Sequence, residues 1–457
     1  MTQLAKLKAT IKLIQKALKA EQSPQGASLF LRLHPADRAD VFELLDKNEQ
    51  RQLLLQLDIS TTADLFDELE DHETIGPAES LPLERLADVL DEMDPDEAAD
   101  LLGDLSPEKA QQILIGMQEP DDVIPLLSYA DETAGGRMTT AYLSLHPNTT
   151  VEESLDFLRD VSPDNDVPYY LFVITPTKQL VGVIGLRELI IADTHITIGH
   201  VMNRDVIHIS ASADQEDAAR LMTHYDLSAL PVLDDDERMV GVITHDDILD
   251  VIEAETTEDI YRLSSVTDIA LQPESAVGEQ LKGRLPWLLL NTITALFASW
   301  VISNFGDLFM QVAVLAFFQS VVAGQGGNAA SQNVAMIVRA LALGKIETKR
   351  IWKILLHQMW ISLLQGSIIG LIVGIGVGLW QNNPYLGLVL GLALVGNLLV
   401  AGLVGTLAPL GLKFLGQDPA LASTVLVTAA TDSLGFLIFL SLAKIFLANI
   451  LSYAPQG

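Results

Sequence analysis

The 457-residue chain has no cysteine, which excludes disulfide scaffolds, thiolate zinc sites, iron–sulfur clusters and cysteine nucleophiles. It also lacks a Walker phosphate loop and a His-Glu-x-x-His pair, so ATP hydrolysis and zinc proteolysis have no visible site. Basic residues are scarce: 28 Lys and Arg face 60 Asp and Glu, a formal charge of −32. A phosphate backbone needs a basic surface, so nucleic acid is not an expected partner, whereas cations are. Charge of either sign nearly disappears beyond Pro286, where residues 286–457 hold 4 acidic and 7 basic side chains against 56 and 21 in residues 1–285. Two physically different halves therefore meet near Pro286.

The second half supplies what the first lacks, namely long apolar runs. A bilayer core of ~30 Å takes about 20 helical residues, and five runs qualify: 285–302, 308–343, 354–380, 386–415 and 419–451. Buried helices of a large soluble protein would normally keep a polar face, and these do not. Lys and Arg alternate across the connections as cytoplasmic loops require. Lys282 and Arg284 precede the first run, Lys345, Lys349, Arg350 and Lys353 follow the second, and Lys413 follows the fourth. The pattern places the acidic half in the cytoplasm and the carboxyl terminus outside; a plasma membrane of the bacterial inner type is the expected location.

Within these runs charge is rare and therefore informative. Asp307, Glu347 and Asp418 fall in loops or at run ends, where solvent is their simplest partner. Asp432 does not. Counted from Pro419 as a first helical residue, it lies ~20 Å along at 1.5 Å per residue. Thr424 and Thr428 precede it at one-turn spacing, so three oxygen-bearing side chains share a helix face. That stripe suits a hydrated cation path; a protonated or internally hydrogen-bonded structural Asp is the plainer alternative. In the second run, glycines at Gly324-Gln325-Gly326-Gly327-Asn328 are expected to break the helix, either as a pore-lining element or as a packing kink.

The first half contains two kinds of repeat. Residues 30–130 carry a helical phrase of ~25 residues ("HPADRADVFELLDKNEQRQLLLQL", "LPLERLADVLDEMDPDEAADLLGDL", "SPEKAQQILIGMQEPDDVIPLLSY"), the mark of a short superhelical stack with an acidic surface. Ahead of it, Lys6, Lys8, Lys12, Lys16 and Lys19 punctuate a weakly apolar segment without the core of a secretory signal, expected as a surface helix, with membrane lipid headgroups the sharper alternative partner. Residues 137–256 carry another duplication: "YLSLHPNTTVEESLDFLR" with "LVGVIGLREL", then "VIHISASADQEDAARLM" with "MVGVITHDDIL". It resembles a tandem pair of CBS domains. Gly241, Thr244 and Asp247 match the ending that holds ribose and phosphate in that family, while the first copy has Gly185 and Glu188 at the hydroxyl and Asp positions. Tyr170, Arg187, Glu188 and Thr244 are what the resemblance implies for a nucleotide such as ATP. A charged connector follows, with Glu253, Glu255, Glu258 and Asp259; together with Asp246, Asp247 and Asp250 it concentrates carboxylates that a divalent cation would bridge.

In this order the segments resemble the MgtE family of magnesium channels over essentially the whole chain. Three stretches carry the likeness: "YADETAGGRMTT" (129–140), "GQGGNAASQNVAMIVRALALGKI" (324–346) and "VTAATD" (427–432). The resemblance implies an N-terminal all-α superhelical domain (1–136), two CBS domains of α+β class (137–198 and 199–256), a connecting plug helix (257–284) and a five-helix transmembrane domain (285–457). It also implies a homodimer with an axial pore. Asp432 would be the selectivity carboxylate, with Thr428 and Thr424 along the pore and Asn328 near its mouth. Regulatory Mg2+ would be held by Glu255, Glu258 and Asp259 of the plug facing Asp214, Glu216, Asp226, Asp247 and Asp250, with Asp91 reaching Asp247. The expected function is passive, Mg2+-selective uptake closed by internal Mg2+, and no enzyme activity. The rivals are a broader divalent channel or a proton-coupled carrier for Mg2+, Co2+ or Ni2+, an intramembrane aspartyl protease built on Asp307 and Asp432, and a membrane-anchored nucleotide sensor.

Overall fold

The structure, a computed structural model, describes residues 3–20, 23–69, 71–160, 170–267, 271, 273, 275–346, 348–421 and 423–453. The chain divides into two compact units, Met1–Ile252 and Glu253–Gly457.

Unit 1 opens with short helices: α1 (Gln3–Lys19), α2 (Ser23–Phe30), α3 (Pro35–Glu43), α4 (Lys47–Leu54), α5 (Ile59–Asp67), α6 (Asp71–Ser80), α7 (Leu83–Leu90), α8 (Pro95–Asp104), α9 (Pro107–Gly116) and α10 (Pro120–Val123). Their starts are written in the sequence. Pro opens α3, α8, α9 and α10, where its missing N–H costs nothing. Asp46 and Glu49 form a reciprocal capping box on α4, and the Asp58 carboxylate accepts from Thr61 N at 3.0 Å on α5. On α1, Ile11, Ile14 and Leu18 are buried in the stack while Lys12, Lys16 and Lys19 stay exposed, as expected of a surface helix.

Two βα copies follow. The first runs β1 (Ser144–Leu145), α11 (Val151–Asp160), β2 (Tyr170–Ile174), β3 (Leu180–Gly185), α12 (Leu186–Ile191) and α13 (Ile198–Val201). The second runs β4 (Ile209–Ser210), α14 (Gln215–Tyr225), β5 (Ala229–Leu233), β6 (Met239–Thr244) and α15 (His245–Leu263). In both, the first strand pairs parallel with the second, which pairs antiparallel with the third. The stretch 129–140 joins the stack to the second copy: Ala134 N donates to Ala213 O and Gly135 N to Ala211 O, at 2.8 and 2.9 Å. Arg137 adds bonds to Asp100 (3.2 Å) and Gln215 (3.0 Å), and one core runs from the stack helices to Ile209, Leu230 and Ile243.

Unit 2 contains the end of α15, then α16 (Val277–Ser303), α17 (Gly306–Gln311), α18 (Leu315–Ala342), α19 (Ile351–Trp380), α20 (Pro384–Phe414), α21 (Ser423–Ile445) and α22 (Leu447–Ser452). Residues in α16, α19, α20 and α21 form helices long and apolar enough to cross a membrane. The fifth expected span, α18, has the length, 28 residues, but its Gly, Gln, Asn and Ser content keeps it below that apolarity. Helix α20 is the hub, packed against α18, α19 and α21. Its contact with α19 is backbone to backbone: a Cβ on Gly391 would lie 2.7 Å from Gly370 O, and one on Gly374 2.8 Å from Gly387 O. The outer sides of α16 and α19 expose Leu288, Ile293, Leu296, Trp300, Leu364, Ile368 and Ile372, the surface an acyl chain solvates.

Several expected boundaries move. The glycine run does not break α18, because Gly326 is buried against Asn397 and the helix closes over it. Residues 308–311 belong to α17 instead of the second span. The plug is no separate helix at 257–284: α15 continues out of the second βα copy to Leu263, and α16 already begins at Val277. Pro419 precedes α21, so Asp432 lies ~14 Å from its first residue, not ~20 Å, and remains mid-helix.

Candidate ion path and regulatory carboxylates

Asp432 is half-buried on α21, one turn past Thr428. The Thr428 hydroxyl donates to Thr424 O at 2.8 Å, and the Thr424 hydroxyl to Leu263 O at 2.9 Å. Each Thr thus spends its proton on backbone and leaves its lone pairs outward, an oxygen lining suited to a cation or its waters. On α18, Asn328 is exposed, and so are Gly324, Ser331, Gln332 and Ala335, while Gly326, Ala330, Asn333 and Val334 are buried. Between Gly324 and Ala335 the outward face of α18 is therefore small and polar where α16 and α19 are apolar. Lipid satisfies neither Asn328 nor Gln332, so this face calls for water or protein.

The last turns of α15 are tied to the approach to α21. Arg262 forms ion pairs with Glu258, one turn back, and with Asp418, so Asp418 is not simply solvated as its loop position suggested. Burial, with the charges of Asp418 and Glu255 adding to it and Arg262 opposing, pushes the Asp259 carboxyl up to about 6. A cavity of about 560 Å³ lies beside this junction, lined by Tyr261, Arg284, Trp287, Asn291, Thr424 and Thr428 among others.

In unit 1, the Asp91 carboxylate, expected to reach Asp247, accepts from Gln118 N (2.8 and 3.0 Å) and Glu119 N (3.1 Å), joining two stack helices. The stack carboxylate that feels Asp247 is Asp96, whose carboxyl is raised by burial first and by Asp247 next, and whose Oδ1 is buried without a hydrogen-bond partner. Burial and the neighbouring Asp94 push Asp67 up to about 8, and its Oδ1 is likewise unpartnered. Asp247 accepts from Thr244 N (3.2 Å) and Thr244 Oγ1 (2.5 Å), and burial raises it despite these bonds. Asp214 caps α14 through Glu216 N (2.8 Å), Glu216 pairs with Arg220 (3.3 Å), and Asp226 ends α14 in the left-handed region at φ 52°. Asp250 and Glu255 lie on α15.

For a nucleotide, the copies differ. Tyr170 is paired in register with Gly185, and Gly185 N donates to Glu188 Oε2 at 3.3 Å beside exposed Arg187: aromatic face, carboxylate and guanidinium on one open ledge. In the second copy Thr244 and Asp247 are spent on one another.

Comparison with known proteins bears on this arrangement. Three family models match: an MgtE intracellular N domain over residues 33–132, CBS domains over 134–195 and 198–254, and the MgtE divalent cation transporter domain over 319–442. The magnesium transporter MgtE of Thermus thermophilus is 38% identical over 331 residues, 72% of this chain and 73% of the relative. The chain belongs to the MgtE family of magnesium transporters. The Enterococcus faecalis member is 36% identical, with 72% of each chain covered. Among solved structures, the cytosolic domain of the Mg2+ channel MgtE in complex with ATP is 33% identical, covers 52% of this chain and 98% of its own, and has a TM-score of 0.49. Membership of the MgtE family makes the chain a membrane transporter of divalent cations and not an enzyme.

Against this family reading, Thr424, Thr428 and Asp432 do share α21, and Asn328 lies on the neighbouring α18. The carboxylates expected to hold regulatory Mg2+ are dispersed over α14, α15, the α14 caps and, at Asp91, the C-terminal end of α7. Among the described residues no three His, Asp or Glu side chains converge into a metal cage. Sequence reading missed Asp67 and Asp96, whose burial no local pattern announces, although Asp96 follows Pro95 within an acidic run. It also missed Arg262, although its spacing from Glu258 is a helical i,i+4 pair. It missed Asn397, a lone amide in an apolar run.

Proposed function

We propose that the chain is a Mg2+-selective channel that admits the ion passively and is closed by internal Mg2+. The observation that carries this reading is Asp432: the one carboxylate within the five apolar runs, half-buried, with two threonine oxygens below it on the same helix. Mg2+ holds its inner waters tightly and prefers few direct protein ligands, so a single carboxylate per chain matches a hydrated ion. A second copy related by a two-fold axis brings a second Asp432 and covers the polar face of α18; the channel is a homodimer. It lies in the plasma membrane, with the acidic half cytoplasmic and the carboxyl terminus outside.

Regulation rests on the cytosolic carboxylates. Asp96 and Asp247 offer hard oxygens already crowded together and, at Asp96, an oxygen with no other partner, the donor chemistry a regulatory Mg2+ takes. Asp214, Glu216, Asp226, Asp250, Glu255, Glu258 and Asp259 reach further ions through water. Bound Mg2+ supplies the charge that offsets their repulsion. Unscreened, these carboxylates hold their elements apart and the path stays open; screened, they let α15 close it. The ledge of Tyr170, Arg187 and Glu188 takes the base and phosphates of ATP, tuning that response.

Neutralising Glu255, Glu258 and Asp259 together to Gln, Gln and Asn raises the internal Mg2+ needed for half-closure at least tenfold in patch recordings. Inhibition at the same concentration would place the switch elsewhere. The second reading, a carrier for Mg2+, Co2+ and Ni2+ driven by protons, rests on the small Ala429 and Ala430 beside Asp432, which add no polar group to sharpen selection.

A further inference from the structure

Asn397 lies midway along the 31-residue α20 and is fully buried. Its Nδ2 donates to Val322 O of α18 at 2.8 Å, and its Oδ1 is buried with no hydrogen-bond partner. Two glycines make room for it. A Cβ on Gly326 of α18 would fall 2.8 Å from Asn397 Cγ, and one on Gly435 of α21 would fall 2.6 Å from Cγ, Nδ2 and Oδ1 alike. The carboxamide is thus clasped between the two helices that carry Asn328 and Asp432. Successive residues turn about 100°, so Asn328 stands some 200° around α18 from Gly326. With Gly326 held inward, Asn328 must face outward, and it is exposed. Asp432 lies three residues before Gly435, on the adjoining turn.

A slot of this shape would be filled as well by leucine, without an idle carbonyl in an apolar core. What leucine lacks is direction: one donor aimed at one carbonyl fixes rotation and register where apolar packing slides.

We propose that Asn397 is a positioning residue whose buried carboxamide pins α18 and α21 to α20, and so sets the separation and facing of Asn328 and Asp432 on which selection of the hydrated ion depends. The inference rests on the proposed reading of Asp432 and Asn328 as the ion path. It requires no contact between Asn397 and the ion.

The test uses the full-length protein in liposomes, with Asp432→Ala measured in parallel. Asn397→Leu keeps the volume and deletes the donor. The expected result is monodisperse protein of near-native melting temperature whose Mg2+ flux falls about tenfold and whose ratio of Co2+ to Mg2+ flux rises at least threefold. A role in packing alone would leave that ratio unmoved, and an unchanged ratio and flux overturn the proposal. If Asn397→Leu yields no monodisperse protein, the near-isosteric pair Asn397→Thr and Asn397→Val decides, since the two differ in one hydroxyl donor. A Co2+ to Mg2+ flux ratio closer to the native value in the Thr variant than in the Val variant supports the pin, and equal ratios overturn it. Uptake retained by Asp432→Ala removes the ion-path reading itself, whereas loss there with wild-type behaviour in Asn397→Leu removes only the pin.

Discussion

At the scale of single residues, the acidic stack stores charge that its fold must suppress. Asp67 keeps its proton up to about pH 8 in the folded chain, because burial and Asp94 oppose ionisation, but near its ordinary 3.8 when unfolded. The folded state therefore binds the extra proton across that interval, and stability falls as pH rises from about 4 to 8, then levels off. Asp67→Asn removes this slope. In Mg2+-free buffer its melting temperature matches the native chain at about pH 4 and exceeds it at pH 9, by roughly 2–4 °C for each ~1 kcal/mol relieved. Parallel melting curves for the two proteins across that range would show that Asp67 ionises freely. Asp432 was legible from sequence because charge is so rare among apolar runs. The pairing of Arg262 with Asp418 was not: 156 residues separate them, and only the packing of α15 beside the approach to α21 brings them together. Asn397 escaped for the same reason, since its meaning lies in two glycines on other helices.

At the scale of elements, the spans were readable because lipid leaves the backbone few alternatives, and their ends were less so. Helix α16 starts eight residues before its apolar run, through Val277, Glu279 and Lys282, since polar residues extend a helix as readily as apolar ones. The glycines were misread as breakers. In α18 and in the α19–α20 pair they let backbones and side chains approach closely, and the helices continue through them. Two substitutions separate those roles. Gly391→Val drives a side chain into Gly370 O, a clash of ~1–3 kcal/mol, and lowers the melting temperature and yield of monodisperse protein. Gly376→Ala on α19 meets nothing within 4 Å and is expected to be neutral or slightly stabilising. Equal tolerance of both in a thermal scan would mean that α19 and α20 are not tightly apposed.

At the scale of the whole molecule, the asymmetry of charge seen first in the sequence becomes a division of labour. In the proposed function, an acidic unit of helices and paired βα copies senses ions, and an apolar unit built on α20 carries them. The order of elements was legible because each repeat has its own period. The proposed regulatory ligand set was less so, because residues equally acidic in sequence differ in burial: Asp91 is occupied by backbone amides while Asp96 feels the charge of Asp247. The central claim is that Mg2+ passes down its own gradient along a path guarded by Asp432. Its most direct measurement is Mg2+ uptake by liposomes containing the purified full-length chain or Asp432→Ala, with the pH gradient present or collapsed. The account predicts uptake by the native chain that is indifferent to the pH gradient, and at least a hundredfold loss in the variant while it remains folded and dimeric. Undiminished uptake by Asp432→Ala would contradict it.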